Sequence, residues 1–172
     1  MKKIITLGLL AVVGIGIYYT GIYTYFIENK VAEEMPEIKT DASASPAISP
    51  GTASTPSAQI KILKQGSFVD ADFIHKGSGQ AKILEYPDGR KILRFENFET
   101  INGPDLYVYL AESSSPTGDF KSLGNFIDLG QLKGNIGDQN YELPRNTDTS
   151  AYTSAIIWCK KFGVLFPYAI LK

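Results

Sequence analysis

After residue 60 the chain is cut into short apolar runs by turn residues, and no window keeps a 3.6-residue period long enough for a helix. Short strands joined by turns are what such punctuation allows. In "DLYVYL" (105–110), Leu106, Val108 and Leu110 fall on one face and Tyr107 and Tyr109 on the other. "AKILEYPDGRKILRFENF" holds two strand-like runs around Asp88-Gly89, a pair suited to a tight turn. Gly124, Gly130, Gly134 and Gly137 divide the next stretch into further short pieces. The last runs, "TSAIIWCK" and "VLFPYAIL", are apolar on both faces, with Ile156 and Trp158 pointing one way and Ile157 and Cys159 the other. A strand buried on both sides is central or covered by a loop, and Pro167 marks an edge or a bulge. The expectation is an all-β domain over residues 60–172, an antiparallel β-sandwich or flattened barrel.

The upstream residues are of two other kinds. Behind Lys2 and Lys3, Ile4–Ile27 is an uncharged run of 24 residues. A membrane span needs about 20 apolar residues as helix, and a cleaved signal peptide has a shorter apolar region. Tyr18, Tyr19, Tyr23 and Tyr25 gather at the far end, where an interfacial aromatic belt would lie. Residues 1–27 therefore read as an uncleaved signal-anchor transmembrane helix through residues 4–27. The paired lysines place the N-terminus in the cytoplasm and the domain outside it. Residues 28–59, rich in Ser, Ala, Thr and Pro, read as a disordered stalk of roughly 30 Å reach.

Charge excludes one class of partner. The chain carries a net −1, and residues 60–172 hold 13 Lys/Arg against 13 Asp/Glu. Nothing draws it to nucleic acid. One Cys and one His rule out an internal disulfide and a structural zinc site, so no metal site is expected. Asp70 and Asp72 would share one face of a strand, too few oxygens for calcium.

The chemistry left is that of Cys159 and His75. A free Cys packs well as a small apolar plug. An unpaired thiol in an exported domain is nonetheless unusual. Lys160 and Lys161 beside it would lower its pKa, and burial would raise it. His75, in "FIHKGSGQA", precedes a glycine-rich turn and would serve as base for the thiol if the two met.

The blocks "GSFVDADFIHKGSGQAKI", "LRFENFETINGPDLYVYL", "DLGQLKGNIGDQNYELP" and "SAIIWCKKFGVLFPYAIL" occur in order over residues 61–172. Together they resemble the DM-thirteen domain, also called the electron-transfer DM-thirteen domain. The resemblance implies an extracytoplasmic redox role in which Cys159 is the characteristic cysteine. That residue would act as a bare thiol cycling to sulfenate or mixed disulfide, or it would ligate haem; by imidazole chemistry His75 is a further candidate haem ligand. Trp158 and Tyr168 would wall the site, and electrons would pass to a cytochrome-type or other redox protein at the membrane. On this reading the chain is not an enzyme by itself. The alternative is a non-catalytic surface module with Cys159 in the core. Its partner would be bound through Asn102, Gly103, Pro104 and Asp105 and through "KGNIGDQNY".

Overall fold

Among the described residues the chain forms nine strands. The computed structural model describes residues 14–16, 18, 21–37 and 59–172. Its strands are β1 (Lys30–Ala32), β2 (Lys61–Val69), β3 (Gly77–Glu85), β4 (Lys91–Thr100), β5 (Leu106–Ala111), β6 (Phe126–Gln131), β7 (Ile136–Glu142), β8 (Ser154–Cys159) and β9 (Val164–Ile170). They form one sheet in the order β1-β7-β4-β3-β2-β9-β8-β5-β6. Every neighbouring pair is antiparallel except β1 with β7.

One strand joins the two halves. Lys61–Ser67 of β2 pair with β3, while Phe68 and Val69 pair with β9. The sheet therefore curls into a half-barrel instead of separating into the two sheets of a sandwich. Gly66 permits the curl, because a Cβ there would collide with the Ile170 carbonyl. Beside it, Gln65 and Lys172 exchange two backbone hydrogen bonds.

The inner face of the curl is the core. Ile83, Leu93, Phe95 and Phe98 from one half meet Leu106, Val108, Leu110, Ile157, Cys159 and Phe166 from the other. Burying each large side chain contributes about 1.5–3 kcal/mol. Phe68, at the joining strand, sits edge-on to Phe95 and Phe98 at 4.9 and 4.7 Å. On the outer face Tyr109, Ile156, Trp158 and Leu165 are covered by the short 3-10 turn Phe120–Leu123. That cover is why β8, already central, is buried on both sides. The bulge opposite Ile156–Trp158 falls at Pro167, whose missing N–H cannot join the ladder.

The N-terminal expectations are met only in part by described residues. Most of Ile4–Ile27 lies outside them, and among the described residues no helix is long and apolar enough to cross a membrane. The end of the run is a 3-10 turn, Ile22–Phe26, and Tyr25 packs against the core. Residues 38–58 of the expected stalk also lie outside the described residues. Its first part, 28–37, departs from the stalk reading, because β1 extends the sheet there beside β7. Two features fix it. Gly137, at φ 108°, lets the Val31 carbonyl approach where a Cβ would block it. Arg94, 5% exposed, donates to the Glu33 carbonyl, Asn140, Asp138 and Glu96. Glu33 in turn accepts from Lys133 and from the Asn140 N–H. Burial pushes the Glu33 carboxyl up, but those hydrogen bonds outweigh it and hold the group below its ordinary range.

Candidate functional site

Cys159 is the last residue of β8, opposite Leu106 of β5 and Val164 of β9. Period-two alternation sends its side chain inward, and it is 0% exposed. Desolvation pushes the thiol up from its ordinary value. The backbone N–H groups of Phe162 and Lys161 favour the thiolate but are outweighed, and the Asp105 charge adds to the upward push. The two lysines do not reverse this. Lys160 lies on the outer face, 3.3 Å above the Tyr107 ring and bonded to Asp128. Lys161 belongs to the turn beyond the strand, with its Nζ beside Gly21.

Tyr25 arrives from outside the β domain and packs over this end of the core. Its ring lies 6.4 Å from that of Phe166. Burial raises the Tyr25 phenol, and the nearby Cys159 and Asp72 raise it further. The tyrosine thus stands between the thiol and the His75 loop.

His75 sits in the loop between β2 and β3. Asp72 shapes that loop by accepting from the backbone N–H groups of Ile74 and His75 and by holding His75 Nδ1 at 2.7 Å. Hydrogen bonding to His75 draws the Asp72 carboxyl down to about 2. Asp70 accepts from Gly77 N–H. The two carboxylates therefore fasten a loop and do not stand on a strand face as expected. The imidazole ring lies 4.4 Å from Phe166, and with Tyr25, Phe26, Ile74, Phe162 and Val164 it lines an open apolar groove of about 590 Å³.

The structure brings His75 and Cys159 to the same end of the half-barrel, on either side of Phe166 and Tyr25. No hydrogen bond joins them, so His75 is not poised as base for the thiol. Trp158 and Tyr168 do not wall the site. They belong to the outer cluster, because neighbouring residues of β8 face opposite ways. Haem ligation by Cys159 does not fit this arrangement, since an enclosed sulfur leaves no direction for iron. His75 has one nitrogen taken by Asp72, which would orient the ring for a ligand at the other.

The Asn102–Asp105 block closes the same end. Asn102 donates to the Ile27 carbonyl, and its Oδ1 accepts from Gly103 N–H. Pro104 lies against Gly21. The Asp105 carbonyl accepts from Lys160 N–H. In "KGNIGDQNY", Asn135 accepts from Asn29 N–H, and Ile136–Asp138 pair with β1. Both stretches expected to contact a partner are engaged by the chain's own residues 21–34. Tyr25 is the site residue that sequence reasoning missed. Its run is uniformly apolar, and no local signal separates a tyrosine that packs on the domain from one in an interfacial belt.

Residues 67–171 match the model of a family described as electron transfer DM13. No curated protein and no solved structure matches the chain.

Proposed function

The chain belongs to the electron transfer DM13 family, and from that premise we propose that it is a membrane-tethered extracytoplasmic redox module acting through the Cys159 end of the half-barrel. One observation carries this reading: the "HKG", "NGPD" and "WCK" blocks, far apart in sequence, come to the same end of the half-barrel, where Cys159 is buried and Phe166 lies between it and His75. Tethering is supported by the apolar run upstream of the docked segment. Residues 4–20 would extend about 25 Å as helix, within the length range of membrane spans.

The thiol works as a covered group. With Tyr25 in place it is protonated and enclosed, and only the thiolate is nucleophilic. Exchange therefore requires the Tyr25 turn to lift. The freed thiolate then attacks one sulfur of a partner's disulfide, forming a mixed disulfide and releasing the partner's other sulfur as thiolate. An incoming thiolate that attacks the partner's sulfur in this mixed disulfide regenerates the Cys159 thiolate. A second thiolate of the same donor then attacks the donor's sulfur in the new disulfide, closing a disulfide within the donor and releasing the partner's sulfur as thiolate. Two electrons thus pass from a dithiol to a disulfide, and the lone cysteine ends as it began.

The test is thiol labelling of the full chain in mild detergent, followed against pH. The native chain is expected to react slowly, with a midpoint above that of the unfolded chain. Tyr25→Ala is expected to speed labelling without unfolding the sheet. If Tyr25→Ala leaves the rate unchanged and Cys159 labels only on global unfolding, the exchange reading is lost. The complete enclosure of Cys159 favours a second reading in that event, a non-catalytic surface module with the cysteine in its core.

A further inference from the structure

Most large apolar side chains of the domain are buried, but one face is not. Phe26 is 86% exposed, Phe73 85%, Ile27 48%, Ile74 47% and Phe162 44%. Three of these, Phe26, Ile74 and Phe162, line the groove that holds Tyr25 and His75. Ile27 and Phe73 adjoin them in sequence. They come from three separate segments: the Ile22–Phe26 turn, the β2–β3 loop and the β8–β9 turn. A contiguous exposed apolar surface marks an interaction site. Phenylalanine tips carried on loops and tight turns suit insertion among acyl chains, where no backbone edge needs to be buried.

Where the chain leaves this face identifies what covers it. Gly21, beside Pro104 and Lys161, is the first residue of the docked segment. The uncharged run precedes it directly, with no charged residue between. A span over residues 4–20 would thus end at the patch itself. The nearby charges include Glu28, Asp70, Asp72 and Glu99 against Lys76 and Lys161, so attraction to an anionic surface is not what would hold the face. We propose that this face lies on the lipid bilayer, with Phe26, Phe73 and Phe162 immersed at the headgroup–acyl boundary. The proposal rests on the tethering reading above. It adds that the domain lies flat on the membrane with its Tyr25–His75 groove turned towards the lipid.

The experiment uses the full chain reconstituted in zwitterionic phosphatidylcholine vesicles, with and without acyl chains brominated near the headgroup. Phe73→Trp places a reporter on the face. Pro87→Trp places one on the exposed β3–β4 turn at the opposite end of those strands. The unsubstituted chain gives the background from buried Trp158. Emission from the Phe73→Trp chain is expected to shift to the blue and to be quenched by brominated lipid, with the Pro87→Trp chain unaffected. A chain that floats with vesicles while the reporter at position 73 stays unquenched overturns the docking and leaves tethering intact. A reporter there that is blue-shifted but unquenched assigns the face to another protein surface, which also overturns it. A chain that does not float overturns both.

Discussion

At Cys159 burial outweighs charge, and the consequence is visible in alkali. The unfolded thiol ionises near about pH 8.5, whereas the folded one holds its proton to higher pH. Above that value the unfolded state binds fewer protons than the folded one, so stability falls as pH rises. Cys159→Ala should cost about 1 kcal/mol at neutral pH and should flatten the first part of this fall. Denaturant midpoints between pH 7 and 10 would check it, and parallel curves for both chains would refute the burial argument. Asp72 works with the opposite sign. Its carboxyl sits near 2 against an ordinary value of about 3.9, so its support of the His75 loop is present above pH 4 and lost as pH falls towards 2. The protection of the Ile74 and His75 amides, relative to their intrinsic exchange rates, should fall over that window, and Asp72→Asn should lower it at neutral pH. That Cys159 shares a face with Ile157, opposite Trp158, was legible from two-residue alternation, but with both faces apolar the pattern did not say which one is inward. Its cover was not legible either, because Tyr25 reaches it from a segment with no periodic signal.

At the scale of elements, strands with a binary pattern and a turn dipeptide declared themselves. β3 and β4 flank Asp88-Gly89, β5 alternates, and β8 is apolar after Ser154 and buried throughout because it is central and covered outside. β1 could not be found this way. It has three residues, pairs in parallel with a strand more than 100 positions away, and is held by Arg94 and Gly137 of other strands. Local pattern carries no trace of a partner so distant. Arg94 gives the quantitative handle. Its planar fork serves four acceptors at once, and removing one member of a buried charged network costs roughly 3 kcal/mol or more. Arg94→Ala should lower stability by about that amount and should expose residues 30–34 to amide exchange ahead of β4 and β7. Arg94→Lys should recover little, because one ammonium cannot reach all the acceptors. Equal exchange in β1 and its neighbours would show that the network does not fasten the strand specifically.

For the whole molecule, the placement of residues 21–37 changes what the proline-rich segment does. A stalk would separate an anchor from a domain. Here the Glu37 carbonyl accepts from Arg90 on one side and Lys61 begins β2 on the other, so the described residues on both sides of the proline-rich segment lie on the half-barrel. The connection between the apolar run and the domain is then not that segment but the docked turn and β1. A protease site inserted near Ser49 separates the two possibilities. After cleavage, a stalk would release residues 50–172 from the N-terminal fragment. A docked segment would keep the fragments together through the β1–β7 pairing, the Arg94 and Glu33 contacts and Tyr25 on the core. The cleaved full chain in detergent is therefore expected to migrate as one species on gel filtration and to separate only in denaturant. Arg94→Ala in the cleaved chain should promote separation, because it removes the contacts to the Glu33 carbonyl and Asn140 that hold the short strand in place. Immediate separation of the unsubstituted fragments would mean that covalent connection alone holds the segment to the domain. The Tyr25 cover over Cys159 and the flat orientation on the bilayer would lose their support together, since both depend on residues 21–27 staying where they pack.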